Sequence, residues 1–172
     1  LEAATWNEAF QAIADVNAGS SVAAIAGDLV DCETMYAAKT LLKSMGSEML
    51  EGRQTGLSYD VSNLAAVNFN STIAGIEEAD VILLVSTNPR WEASLVNTRI
   101  RKAVRKGGAK VFGIGPEADQ TYPVEWLGDD MGLLGKLPKA LTEALKGAER
   151  PAIILGGGAL SIDGAHGAAL KL

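Results

Sequence analysis

Apolar residues along this chain follow two habits, helical spacing and short unbroken runs, and the two take turns. Thr5 and Glu8 form a capping-box pair ahead of a stripe of Trp6, Ala9, Phe10 and Ile13, which predicts a helix stopped at Gly19-Ser20. Val22 to Ala26 is a continuous small-apolar run and reads as a strand. Asp31 can cap a second helix with Met35, Ala38, Leu42 and Met45 on one face, ended by Gly46. Ser47 to Asn70 has no clean period and reads as irregular. A short helix is predicted from Ser71 or Thr72 to Glu78.

Val81 to Val85 is the strongest strand, apolar at every position as a central parallel strand should be. Asn88-Pro89 then supplies a helix cap and a first-turn proline. The predicted helix runs to Lys106, with Ala93, Val96, Ile100, Ala103 and Val104 on one side and Gly107-Gly108 as its stop. Lys110 to Ile114 is a strand, and Gly115 to Asp130 a Gly, Pro and Asp-rich connection. Leu137 to Lys146 is a helix and Ala152 to Leu155 a strand. Gly156 to Gly158 is a tight turn before a last helix from Ala165 to Leu172. Strands separated by helices imply an α/β fold, a doubly wound and mostly parallel sheet with helices on both faces. The strands Val22–Ala26, Val81–Val85, Lys110–Ile114 and Ala152–Leu155 are expected in that sheet. Residues 1–172 are expected to form a single α/β domain. Because the last apolar pattern lacks a C-cap signal, the chain is expected to be a fragment of a longer subunit.

Composition narrows the chemistry. With 172 residues, 48% hydrophobic and 21% charged, the chain can bury a core of its own. A net charge of −6 argues against sequence-independent nucleic-acid binding and against docking on an anionic membrane. The basic run Arg99, Arg101, Lys102, Arg105, Lys106 reads as a solvated helix end that complements the helix dipole. No apolar run is long enough to cross a bilayer. One cysteine, Cys32, excludes an internal disulfide and a four-cysteine iron–sulfur centre. One histidine, His166, leaves no His-rich metal site, so no metal site and no catalytic residue are expected.

Candidate sites gather at turns. Gly113-Ile114-Gly115 with Ala118 fits a dinucleotide pattern, but Pro116, Glu117 and Asp119 follow where a helix should begin. Gly156-Gly157-Gly158 lies between a strand and a helix. There it permits close approach of a ligand or equally close packing. Ser86-Thr87-Asn88-Pro89 stands at the C-terminal end of the best strand, the edge where open α/β sheets bind ligands. Asn88 as a plain helix cap explains the same residues equally well. Glu77-Glu78-Asp80 and Asp129-Asp130 read as solvated carboxylates, and Cys32 as a small buried apolar residue. Ser86 and Ser161 lack a nucleophile-elbow context.

At Phe69 a longer likeness begins. TIAGIEEAD, VILLVSTNPRWEA and NTRIRK leading into GAKVFGIG, within residues 69–123, resemble the molybdopterin-oxidoreductase-like region of the 75 kDa subunit family of NADH-quinone oxidoreductases, the respiratory complex I enzymes. VAAIAGDLVDCETMYAAKTLLKSMGS upstream, Gly52-Arg53-Gln54 with Gly56, and RPAIILGGGAL downstream fit the same region. The resemblance implies a non-catalytic scaffold domain with no cofactor of its own. The parent subunit's iron–sulfur clusters would lie outside it, in a complex that passes electrons from NADH to quinone. It implies other subunits of the peripheral arm of the respiratory complex as partners. The place would be the cytoplasmic side of the inner membrane, within a membrane-bound complex, the domain itself being soluble and not inserted. Working pterin enzymes of this fold usually carry Gly where Ser86 stands, and an acidic residue in a D-P-R-like turn where Gly115-Pro116-Glu117 stands. Ser86, Asn88, Gly156 and Gly158 are therefore vestigial candidates for cofactor binding. Two alternatives remain at this point: the central domain of a thiamine diphosphate enzyme, suggested by RPAIILGGGA, and a pterin-binding fragment of a molybdopterin oxidoreductase.

Overall fold

The computed structural model describes residues 2–16, 21–27, 29–52 and 55–172. It divides into two compact units, Leu1–Gly56 and Leu57–Leu172.

In the first unit, α1 (Trp6–Asp15) starts at the capping box read from the sequence. The Glu8 N–H donates to Thr5 Oγ1 at 3.3 Å, and the Thr5 N–H donates to the Glu8 carboxylate at 2.7 Å. The predicted stop at Gly19-Ser20 lies outside the described residues. Asp31 caps α2 (Cys32–Ser44), accepting the Thr34 N–H at 2.7 Å. Only Ala24–Ile25 (β1) of the predicted Val22–Ala26 strand is regular, and its partner is β2, Leu50–Glu51. The pair is a parallel two-stranded sheet of its own, so β1 does not join the main sheet as expected. Its ladder is short because β2 is only two residues long and lies in a stretch without apolar alternation.

The second unit holds a four-stranded parallel sheet in the order β5-β4-β3-β6. Its strands are β3 (Val81–Val85), β4 (Lys110–Ile114), β5 (Glu125–Trp126) and β6 (Pro151–Leu155). β5 comes from the stretch read as a connection. Gly113 explains why it pairs there: a Cβ on that residue would lie 2.3 Å from the Trp126 ring. Glycine in β4 thus makes room for the one large side chain of β5.

Alternate residues of β3 point to opposite faces. Val81, Leu83 and Val85 pack with Leu134, with Leu141 of α5 (Lys139–Lys146), with Ala159 of α6 (Gly157–Leu160) and with Ala165 of α7 (Ala165–Ala169). Ile82 and Leu84 pack with Ile76 and with Ile100 of α4 (Ser94–Lys102). Both faces are buried, as the unbroken apolar sequence of β3 requires.

Two helices differ from their sequence readings. The helix predicted from Ser71 or Thr72 is a 3-10 turn over Gly75–Glu78. The long helix after Asn88 is broken into α3 (Pro89–Glu92) and α4 at Ala93, whose φ of −150° is not helical. It then widens into a π turn over Ala103–Gly107, closed by Gly108 in the left-handed conformation that glycine tolerates.

Candidate functional site

The chain leaves β3 toward β4 and β5, then returns past β3 to β6. The order therefore reverses between β3 and β6, the place where open α/β sheets form a ligand crevice beyond the C-terminal strand ends. Three of the four candidate residues meet there. Ser86 leaves β3 with φ 43°, a conformation costly for a residue with a Cβ. The glycines close around it. A Cβ at Gly156 would lie 2.5 Å from Ser86 O, one at Gly158 2.6 Å from Ser86 Oγ, and one at Gly115 2.9 Å from Ser86 Cα. The space these glycines leave is thus filled by the Ser86 turn itself. Gly113-Ile114-Gly115 opens no helix either, since residues 116–124 are irregular.

Asn88 corrects the sequence reading. Its side chain makes no cap hydrogen bond to α3. Instead Asn88 Oδ1 accepts from Gln120 Nε2 at 3.2 Å, and the Asn88 N–H donates to Glu92 Oε1 at 2.6 Å. The same carboxylate accepts the Thr87 hydroxyl at 3.3 Å. The N–H groups that an Asn88 cap would accept go elsewhere: that of Arg90 to Gln120 Oε1, and that of Trp91 to the Asn88 backbone oxygen at 3.0 Å. Asn88 is left free to pair with a residue far along the chain.

Gln120 is the residue that sequence reasoning missed, together with Glu92, Asn97 and Tyr122. It is almost fully buried, accepts the Arg90 N–H at 3.3 Å through Oε1, and accepts Asn97 Nδ2 at 3.2 Å through its backbone oxygen. The Tyr122 hydroxyl donates to Asn97 Oδ1 at 2.7 Å, and burial pushes its phenol above the ordinary tyrosine range. The available signal was positional: Asp119 to Tyr122 follow β4 at the same edge as Ser86. Amides and a phenol in a network whose members satisfy one another can fix a loop. They supply neither a nucleophile nor a paired acid and base.

The other sequence candidates lie elsewhere. Glu77 accepts from Arg99 and Lys102, which hold its carboxyl below the usual range. Two members of the basic run are therefore ion-paired rather than merely solvated. Asp80 accepts the N–H groups of Glu149 at 2.6 Å and Arg150 at 3.2 Å, and the first of these depresses its carboxyl most. Cys32 is exposed at the start of α2, not buried as read from its type, because the first turn of α2 faces outward. His166 is buried, its Nδ1 accepting the Asp60 N–H at 3.3 Å and its Nε2 lying 3.0 Å from the Ala66 carbonyl. Both ring nitrogens are thereby engaged in backbone packing. Among the described residues, no three His, Cys, Asp or Glu side chains converge as metal ligands. Among them, too, no helix is long and apolar enough to cross a membrane.

The profile of the family described as Molybdopterin oxidoreductase matches residues 1–170. The chain belongs to the molybdopterin oxidoreductase family. Within it, the chain is similar to an NADH-quinone oxidoreductase subunit of Rickettsia felis, 40% identical over 169 residues that cover 95% of this chain and 25% of that protein. It is similar as well to the mitochondrial NADH dehydrogenase (ubiquinone) iron-sulfur protein 1 of Solanum tuberosum, 37% identical over 95% of this chain and 23% of that protein. The mitochondrial NADH-ubiquinone oxidoreductase 78 kDa subunit of Candida albicans is 39% identical over 92% of this chain and 23% of its own length. The chain thus spans about a quarter of the length of the curated relatives it matches.

The family's name implies a pterin, whose anionic groups would need free donors at the crevice. Here the Asn88 N–H and the Thr87 hydroxyl already serve the Glu92 carboxylate, and Ser86 occupies the space beside Gly156 and Gly158. The turn as built does not fit a second anion.

Proposed function

We propose that this region is a non-catalytic scaffold in a protein of the 75 kDa type found in NADH-quinone oxidoreductases: a doubly wound α/β domain that holds no pterin. The parent protein carries iron–sulfur clusters in other parts of its sequence. It works beside other peripheral-arm subunits of a complex passing electrons from NADH to quinone, on the cytoplasmic side of the inner membrane. The single observation that carries the reading is the Glu92 carboxylate seated on the Asn88 N–H and Thr87 hydroxyl. An internal anion there satisfies the donors that a ligand phosphate would need, and by charge repulsion discourages its arrival. The likeness to an NADH-quinone oxidoreductase relative covers 95% of the chain. The thiamine diphosphate alternative rests on the RPAIILGGGA turn alone, and a pterin-binding fragment would need the donors that Glu92 holds.

The test is metal and pterin analysis of the purified protein, with thermal melting in the presence of pyrophosphate and nucleotides. The expected result is no molybdenum or tungsten attributable to this region and no shift of the melting curve. Stoichiometric pterin, or a ligand-dependent rise in melting temperature that Glu92→Gln leaves unchanged, overturns the reading.

A further inference from the structure

The two outer strands of the main sheet are finished differently. β5 is two residues long, begins just after Pro123 and carries the exposed Glu125; shortness, proline and charge are the usual protections of an edge. β6 is as long as the central strand, and after Pro151 it is uncharged: Ala152, Ile153, Ile154 and Leu155. Its side chains pack toward both cores, Ile153 and Leu155 on one face and Ala152 and Ile154 on the other. That is the pattern of an interior parallel strand.

The hydrogen bonds give the phase of its open side. In a parallel ladder the N–H and C=O of alternate residues face the same neighbour. The Asp80 N–H donates to Arg150 O at 3.3 Å, and the Gly156 N–H donates to Val85 O at 3.0 Å. Ala152 and Ile154 therefore face β3. The N–H and C=O of Ile153 and Leu155 face outward, where the described residues offer them no partner. Pro151, with no N–H to satisfy, falls on the same outward phase.

Room exists on that side. The segment after Leu57 is tied down at its start by the Ser58 N–H to Leu160 O at 2.7 Å and by the two His166 contacts. Between it and β6 runs an apolar cavity of about 590 Å³ walled by Tyr59, Val67, Phe69, Ile153 and Leu155.

We infer that the open edge of β6 receives a fifth parallel strand, predominantly apolar, from a further stretch of the same polypeptide. Relatives of this family carry about three-quarters of their length beyond the matched region, ample to supply one. A strand that follows β6 through a helix lands beside it by the ordinary right-handed crossover, continuing the order away from β5. The occupant's outward N–H and C=O groups pair with Ile153 and Leu155, and its apolar side chains fill the cavity.

The experiment uses the full-length protein carrying this region, with residue-resolved hydrogen exchange at Ala152 to Leu155. A fifth strand makes the Ile153 and Leu155 amides exchange as slowly as Ile154, at least about 100-fold slower than open backbone. If those two amides exchange as open backbone while Ile154 is protected, the inference is wrong. Protection that vanishes when the protein is diluted or separated from its partner subunits assigns the strand to another chain, and also overturns it. Paired substitutions give an independent reading. Ile154→Pro breaks the β3 ladder in any case. Ile153→Pro lowers the melting temperature equally if a fifth strand is present, but far less if β6 is an edge. An Ile153→Pro protein as stable as the parent sinks the proposal.

Discussion

The two units use apolar sequence in opposite ways. In Leu57–Leu172, apolar residues of β3 are completely buried and are gripped from both faces. In Leu1–Gly56, α1 has a clear apolar stripe, yet none of its residues is buried; Trp6 is 78% exposed and Phe10 59%. Periodicity says that an element has a face. Only partners make that face contribute to stability, at roughly 25 cal/mol per Å² of apolar surface removed from water. Apart from Leu42, the buried apolar residues among those described all lie in the second unit, and none lies on α1.

The largest expected effect tests the well-packed side of this contrast. Leu83→Ala removes a fully buried side chain from β3 and should destabilise the second unit by about 3–5 kcal/mol, read from denaturant unfolding. A cost under about 1 kcal/mol would mean that the sheet can collapse around the cavity, unlike a native core.

Next comes the crevice. Gly156→Ala places a methyl 2.5 Å from Ser86 O and 2.8 Å from Thr87 Cα, both backbone atoms that cannot swing aside. The expected loss is about 2–3 kcal/mol, with no accompanying change in affinity for any anion. Tolerance of the methyl would show that the Ser86 turn is looser than its contacts imply, and would reopen the crevice as a ligand site.

How much of this was legible in the sequence depends on the distance between the residues involved. β3 was plain because five consecutive apolar residues carry their own signal. The helix caps at Thr5 and Asp31 were plain because their partners lie three residues away. β5 was not, because its pairing rests on Trp126 lying over Gly113, a fit between distant positions that neither residue announces. Asn88 was misread for the same reason. As a local cap it was a sound choice, but Gln120, 32 residues on, took both the Asn88 side chain and the Arg90 N–H it would have capped. The crevice could be placed from strand ends alone, whereas its filling by Ser86 and Glu92 could not.

A smaller effect is expected at the opposite end of the sheet, and it has a sign in pH. The carboxyl of Asp80 is depressed chiefly by the Glu149 N–H, and that of Glu77 by Arg99 and then Lys102. A carboxyl depressed on folding contributes stability that is fully present above its unfolded value, about 4, and is lost as pH falls through the lower folded value. The melting temperature should therefore drop on acidification below about pH 4. In Asp80→Asn it should start lower at neutral pH and fall less. Parallel acid profiles for parent and variant would remove Asp80 from the account.

The smallest expected effect lies on α1 and bears most directly on the contrast. Phe10 touches Trp6 at a ring-centroid distance of 5.8 Å, a tilted contact between two exposed rings. Truncating an exposed side chain costs little, usually within about 0.5 kcal/mol, and alanine favours the helix more than phenylalanine does. The capping box is different. A helix of ten residues is marginal by itself, so losing the Thr5 oxygen that accepts the Glu8 N–H should cost about 1 kcal/mol. Hydrogen exchange at the α1 amides separates the two substitutions. Thr5→Ala should speed exchange through the helix about fivefold, since about 1 kcal/mol corresponds to that factor, while Phe10→Ala should leave it within about twofold. The reverse ranking, with Phe10→Ala the more damaging, would mean that the apolar face of α1 is covered in the working protein. The first unit would then draw its stability from packing just as the second does.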